Sequence, residues 1–315
     1  MLNIITRPPK IFFKGALKYY ASRVAIIFGR VRGPASVLAS MKQGLVEISY
    51  PFIINDYVRP DQIVHVVSNI EALKYAIDAK RTGKIKRLVA GPNLVVLPTD
   101  HKKIAESSEI DAFLVPSVWV RDMYVRLSPV LSKKIHIWPA GVAMPEQYKK
   151  ISTTPQNCLL FRKHAPDDVY QHALDSLSKK NIGVQELHYG NFSQKKYFAA
   201  LEKADFMIYL QEIESQGLAL QEAWARNLPT LVWNKGTFTF KEGVTVEGNL
   251  SAPLLTEAVG MLFSGTYDFE EKLDLFLSQF GHYRPRSYCE QELSNKASAT
   301  KYVKLLRKIY TDHNE

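Results

Sequence analysis

Short apolar runs alternate with helical stretches along most of the chain up to Trp233, and that alternation points to parallel sheets covered by helices. The first series reads as strand Arg23 to Phe28, helix Ala35 to Ile48, strand Tyr50 to Ile54, strand Ile63 to Val67, helix Asn69 to Lys80 and strand Arg87 to Ala90. It continues through the turn Gly91-Pro92-Asn93 into strands at Val95 to Leu97, Ala112 to Val115 and Ile135 to Trp138. Ser117 is expected to cap a helix reaching Val125, its hydroxyl accepting from the amides of the first turn.

From Ala143 to Gln156 the chain turns polar, with Pro145, Pro155 and a Ser-Thr-Thr run, as an interdomain linker would. The pattern then restarts: strand Cys158 to Phe161, helix Asp167 to Lys180, strand Val184 to His188, helix Gln194 to Lys203 and strand Phe206 to Leu210. A loop at Gln211 to Ser215, a helix from Gly217 to Arg226 and strand Thr230 to Trp233 follow, and Ser287 to Tyr310 reads as a final helix. A chain of 315 residues is too long for one ordinary core. The expected fold class is therefore α/β, with two Rossmann-like doubly wound domains facing a cleft. Their bounds are 1–145 and 146–285, with 286–315 a C-terminal helix free to pack back on the N-terminal domain. Open sheets of this kind bind ligands at the carboxyl ends of their strands.

Composition removes several classes. Hydrophobic residues at 46% and charged residues at 23% are values of a folded globular chain, neither disordered nor fibrous. Cys158 and Cys289 are the only cysteines, too few for a disulfide framework or a zinc site, and the chain reads as cytoplasmic. The run Val24 to Phe28 is far too short to span a membrane, and Arg7 to Lys18 leads into no signal-peptide core. The net charge of +10 is concentrated: Arg7, Lys10, Lys14, Lys18, Arg23, Arg30, Arg32 and Lys42 all precede the first acid, Glu47. Interleaved with Phe12, Phe13, Tyr19, Tyr20 and Phe28, these charges fit peripheral contact with an anionic membrane, on its inner face for a cytoplasmic protein. They equally fit a solvated basic face over core aromatics. A nucleic-acid surface is a third reading, for which no recognised module is present.

The segment from Glu214 to Trp233, Glu-Ser-Gln-Gly-Leu-Ala-Leu-Gln-Glu222-Ala-Trp-Ala-Arg-Asn-Leu-Pro-Thr-Leu-Val-Trp, carries the chemistry. Seven residues separate the two glutamates. Were the segment helical throughout, they would lie roughly 12 Å apart along the axis, too far to share a proton or a metal. They would bracket an extended ligand, with anionic groups over the amides of Gln216, Gly217 and Leu218, where a helix start favours negative charge.

This segment resembles the E-x7-E motif of retaining GT-B glycosyltransferases, especially the family 4 group. Ile137-Trp-Pro-Ala-Gly-Val142 is similar to that family's I-P-N-G-V turn, and Pro116-Ser117 stands where such a pair is usual. Tyr189-Gly190, Tyr197 and Ala204-Asp205 fit the segment near the nucleotide. The resemblance implies an N-terminal acceptor domain and a C-terminal donor domain, Glu214 against the transferred sugar, Glu222 on the ribose hydroxyls, and Tyr189 and Gly190 beside the nucleotide. Two departures stand out. The family's Arg and Lys for the diphosphate lie several residues apart, whereas Arg162 and Lys163 are adjacent; both are assigned to phosphate neutralisation. Where relatives carry a His near the reacting sugar, this chain reads Ala90-Gly-Pro-Asn93; Asn93 is the expected hydrogen-bonding residue, with His101 the alternative. Gly33 and Gly91 mark acceptor-side turns, and His65, His164 and His188 are taken as structural or surface residues.

The resemblance implies an enzyme that moves a sugar from a nucleotide-sugar co-substrate to a glycan or lipid-linked acceptor, with retention and without a metal or other cofactor. No Asp-x-Asp stands at a strand end, and Asp167-Asp168 opens a helix. Two alternatives stand beside it: a GT-B-like protein that binds a nucleotide or glycan without turnover, and a glycosyltransferase acting on DNA.

Overall fold

The structure, a computed structural model, describes residues 1–8, 33–152 and 154–311. It divides into two compact units, Met1–Gly141 with Asn295–Glu315, and Val142–Ser294. The expected strand Arg23 to Phe28 and the basic, aromatic segment from Lys10 to Arg32 lie outside the described residues.

The first unit is built on a parallel sheet of order β2-β1-β3-β4-β5-β6. These strands are β1 (Leu2–Ile5), β2 (Phe52–Ile54), β3 (Ile63–Val66), β4 (Arg87–Ala90), β5 (Ala112–Val115) and β6 (Ile135–Ile137). Helices α1 (Gly33–Glu47), α2 (Ile70–Arg81) and α3 (Val118–Leu127) run between them. β1, four buried residues at the chain start, has too short a run to show in the sequence pattern, and pairing with both β2 and β3 places it inside the sheet.

Three sequence expectations need correction here. Val95 to Leu97 is no strand, because β4 pairs directly with β5. Its polar backbone is satisfied by side chains instead: the Tyr124 hydroxyl donates to the Val95 carbonyl at 2.7 Å, and Asp100 accepts from the Val96 and Leu97 amides. Ser117 does occupy the cap position of α3, but its hydroxyl makes no cap hydrogen bond and is buried without a partner. The C-terminal segment is not one helix. A short helical turn, Pro285–Tyr288, and a widened turn through Leu293 end the second unit, and α8 (Asn295–Thr311) belongs to the first.

Helix α8 lies against α1, and Gly44 makes the approach possible: a Cβ there would fall 2.2 Å from the Asn295 carbonyl oxygen. The buried Trp138 indole donates to the Ser298 carbonyl at 3.1 Å, and the Ser298 hydroxyl donates to the Pro139 carbonyl at 2.7 Å. Tyr302 reaches the sheet through His65, whose Nδ1 lies 2.8 Å from the Tyr302 hydroxyl and whose Nε2 lies 2.5 Å from the Gly91 carbonyl. A carbonyl only accepts, so Nε2 carries the proton and Nδ1 accepts from the phenol.

Burial drives the His65 pKa down to about 4, against a lesser upward pull from the Gly91 carbonyl. The unfolded chain takes up this proton near pH 6.5, before the folded one does. The contribution to stability is thus complete above pH 6.5 and is lost as pH falls through about 4, to the extent of about 3 kcal/mol. Urea midpoints measured from pH 7.5 to 4 should fall along this limb, and His65→Gln should flatten it. An equally steep limb in the variant would assign it to other groups.

The second unit carries β7 (Asn157–His164), β8 (Gly183–His188), β9 (Phe206–Gln211), β10 (Thr230–Trp233) and β13 (Gly260–Phe263), parallel in the order β13-β10-β9-β7-β8. A two-stranded antiparallel hairpin, β11 (Thr237–Thr239) with β12 (Thr245–Glu247), follows β10. The helices are α4 (Asp167–Lys179), α5 (Gln194–Lys203), α6 (Leu218–Ala225) and α7 (Thr266–Ser278). Both sheet faces are buried. Leu159, Phe161, Met207 and Tyr209 pack toward α5 and α6, while Cys158, Leu160, Ile208 and Leu210 pack toward α4 and α7. This alternation is the two-residue period of a strand. Among the described residues no helix is long and apolar enough to cross a membrane.

Candidate functional site

The carboxyl edge of the second sheet gathers most of the donor-side candidates. Strand period sorts the two adjacent cations first. Lys163 continues the row Leu159, Phe161 on the α5 and α6 face, and Arg162 continues Cys158, Leu160 on the α4 face. Arg162 accordingly donates to the Ala165 carbonyl at 2.8 Å, pairs with Asp167, and lies 4.7 Å above the ring of Tyr170. Lys163 turns the other way, its Nζ 2.7 Å from Glu214 Oε1 and 4.8 Å from the Tyr189 ring centroid. Two neighbours expected to serve one phosphate site are thus held by different groups.

Glu214 is the centre of the cluster. Its Oε1 accepts from Lys163 Nζ and, at 2.6 Å, from the Tyr209 hydroxyl, and its backbone amide donates to the Leu250 carbonyl at 2.7 Å. Asn234 accepts from the amides of Leu250 and Ser251, and Ser251 Oγ donates to the Glu212 carbonyl at 3.1 Å. The Glu214 loop is therefore fixed from strand β10 as well as from β7 and β9. Tyr189 and Gly190 form the turn after β8; the Tyr189 amide donates to the Arg162 carbonyl at 2.8 Å, and Gly190 has a φ of 90°. Lys163, Tyr189 and Glu214 are brought together, and Tyr209, which the sequence reading passed over, joins them. The available signal is one hydroxyl-bearing residue in the otherwise wholly apolar run Phe-Met-Ile-Tyr-Leu, since a buried phenol requires an acceptor.

Helix α6 begins at Leu218, and Ser215 to Gly217 are not helical, so the 12 Å helical spacing of the two glutamates does not hold. Gly217 takes the cap position at φ 81°, ψ 53°, a left-handed conformation that suits glycine and turns the chain from the Glu214 loop into the helix. The Gln216 side chain points inward, its Nε2 donating to Gln221 Oε1 at 3.1 Å, and the backbone of Gly217 and Leu218 stands at the helix start. Glu222 faces α5. Gln194 Nε2 approaches its carboxylate at 3.5 Å, the Arg226 guanidinium donates to its backbone carbonyl at 3.1 Å, and the Tyr197 hydroxyl ties α5 to α6 through the Ala219 carbonyl at 2.7 Å.

Burial raises the Glu222 carboxyl to about 7, opposed by the Arg226 charge and the Gln194 hydrogen bond. Because the folded pKa exceeds the unfolded 4.5, this group's contribution to stability is present below pH 4.5 and is lost as pH rises through 7. If the ionised form receives ribose hydroxyls, affinity for UDP, GDP or ADP should weaken as pH is lowered from 8 to 6, approaching about tenfold per unit below the pKa. Glu222→Gln should abolish that pH dependence, and Glu222→Ala should weaken binding by about 1.5–3 kcal/mol. Calorimetry at both pH values tests this; wild-type affinity in the alanine variant would remove Glu222 from the site.

The acceptor-side candidates belong to the first unit. Gly91 and Asn93 lie in the loop after β4, Asn93 exposed and with φ 64°, and the Gly91 carbonyl is held by His65. His101 is exposed on a turn in which residues 101–103 all have positive φ, and Gly33 is the first residue of α1. Among the described residues no group of three or more His, Cys, Asp or Glu side chains is assembled as a metal site.

No protein-family model matches the chain, and no curated protein matches it. Solved structures do. The chain is similar to an S. aureus TarM mutant in complex with fondaparinux, alpha-GlcNAc-glycerol and UDP, at 13% identity and a TM-score of 0.51 over 85% of this chain. It spans 58% of that TarM chain. It is similar to the apo form of WaaB, a lipopolysaccharide outer core galactosyltransferase, at 13% identity and a TM-score of 0.56, covering 98% of this chain and 99% of that one. It also matches the N-terminal domain of a Candida albicans trehalose-6-phosphate phosphatase, at 8% identity and a TM-score of 0.52 over 97% and 96% of the two chains. At such identities the likeness is one of fold: two parallel-sheet α/β domains, as in GT-B glycosyltransferases.

Proposed function

We propose that the chain is a glycosyltransferase that takes a sugar from a nucleotide-sugar donor bound by its second unit and transfers it to a glycan or lipid-linked hydroxyl. The observation that carries the reading is the convergence of Lys163, Tyr189 and Glu214 at the carboxyl edge of the second sheet, beside the start of α6. The fold shared with WaaB and with the UDP-bound TarM supports it, as do the sugar ligands of the latter.

In this reading the amides of Gly217 and Leu218 and the ammonium of Lys163 hold the diphosphate, Glu214 orients the sugar, and Glu222 receives the ribose. The bond between the anomeric carbon and the diphosphate oxygen breaks, and the new glycosidic bond forms to the acceptor oxygen. The acceptor's proton passes to the departing diphosphate, and Lys163 and the helix amides stabilise the charge that grows there. Retention of the anomeric configuration is the outcome implied by the motif resemblance, and NMR of the first-formed product tests it. No divalent metal is needed in this scheme. Release of nucleoside diphosphate from a panel of UDP-, GDP- and ADP-sugars, with and without EDTA, is the direct test. Silence across the panel removes the reading, and loss with EDTA restored by manganese removes its metal independence.

One observation favours a protein that binds a nucleotide or glycan without turnover: the two adjacent cations after the first strand of this sheet already face carboxylates, Arg162 that of Asp167 and Lys163 that of Glu214. Nucleotide binding without release of product from any donor is the result that selects it.

A further inference from the structure

Tyr209 and Lys163 meet on a single oxygen of Glu214, and the strand register explains how. Tyr209 on β9 stands beside Phe161 on β7, their rings stacked at 5.1 Å, and Lys163 follows two residues on, at an irregularity in the register between Arg162 and His164 that leaves its side chain on that face. The phenol and the ammonium therefore leave the sheet together at its carboxyl edge. Their distances to Oε1 are 2.6 Å and 2.7 Å. Tyr209 is 1% exposed, its ring stacked on Phe161 in the core cluster and its backbone paired with a strand on either side, so its ring is held in place. Glu214 resides on a loop rather than on a helix or strand, so its carboxylate takes its orientation from the groups packed around it.

We infer that Tyr209 is a positioning residue: its hydroxyl, donating to Glu214 Oε1 from a rigid strand, sets the carboxylate orientation that sugar transfer requires. The inference rests on the transfer reading above. Burial and the adjacent carboxylate push the phenol pKa well above its ordinary range, so the hydroxyl remains a donor throughout the working pH range. Of these two partners Lys163 is the more flexible. Its four-carbon stem would follow Glu214 to another rotamer, whereas the tyrosine, with a buried ring, cannot.

The test is Tyr209→Phe, which removes one oxygen and leaves the ring stack. Turnover of the best donor should fall at least about tenfold, while KM for that donor and calorimetric affinity for UDP, GDP and ADP stay within about twofold of wild type. A variant with wild-type turnover overturns the proposal, as does one that loses nucleotide affinity in proportion to turnover. A crystal structure of the ligand-free variant reads the contact without reference to catalysis. A Glu214 carboxylate left in its wild-type position overturns the proposal, and one that has rotated away from Lys163 supports it. If the wild type releases nucleoside diphosphate from no donor while the carboxylate rotates in Tyr209→Phe, the transfer reading fails and the positioning contact stands.

Discussion

Glu214→Gln should lower turnover about 100-fold or more while nucleoside diphosphate binds as tightly as in the wild type, or more tightly. Glutamine keeps an oxygen to accept from the Tyr209 hydroxyl, so the loop retains that contact. What it loses is charge. Lys163, now 2.7 Å from the carboxylate, would face an uncharged amide and be released toward a phosphate oxygen. A sugar-orienting carboxylate acts only while the sugar is attached, so its removal spares the product nucleotide. Initial rates with the best donor, set beside calorimetry with the matching nucleoside diphosphate, decide the matter. A fall in nucleotide affinity equal to the fall in rate would mean that Glu214 contacts the nucleotide and that the two glutamates have exchanged roles.

Lys163→Ala and Arg162→Ala should differ sharply, although the residues are neighbours in the chain. Lys163 and Glu214 side chains are 20% and 15% exposed, so removing the lysine leaves a largely buried carboxylate without its cation, at a cost of about 2 kcal/mol of stability. It also removes the cation expected to meet the leaving diphosphate, and turnover should fall by about a factor of 1,000. Arg162 pairs with an exposed aspartate and caps a carbonyl on the far side of the strand. Its replacement should change nucleotide affinity by no more than about threefold, since exposed pairs of this kind contribute little. Denaturation midpoints and donor turnover for the two variants give the comparison. Equal losses would show that Arg162 leaves Asp167 and reaches the ligand.

The contrast between these two residues marks where sequence reasoning runs out. That Arg162 and Lys163 stand at the end of a strand is visible in the apolar run before them, and a strand in turn implies that they face opposite ways. Which carboxylate each of them meets depends on the elements covering each face. That is settled by packing: Phe161 against Tyr197 and Tyr209 on one side, Leu160 with Val169 and Phe269 on the other. Tyr209 itself was legible as a strand residue. Its partner was not, because the loop that returns Glu214 to it is anchored by Leu250, Asn234 and Ser251, far along the chain.

Although β13 and α7 went unread, most of the alternation of strands and helices up to Trp233, hence two parallel sheets, and the place of Glu214 and Glu222 between β9 and β10 were legible in the sequence. Those properties follow from local periodicity, which each segment carries independently of the rest. Strand order, the inclusion of the four-residue β1 in the first sheet and the assignment of Asn295–Thr311 to the first unit were decided only in three dimensions. So were the carbonyl contact of His65 and the convergence of Lys163 and Tyr209 on Glu214. Apart from the Tyr209 to Glu214 contact, each of these joins residues distant in the chain, and a buried polar group takes whichever partner the packed fold brings within hydrogen-bonding distance. Local pattern decides which way a side chain points; the tertiary fold decides what it meets there.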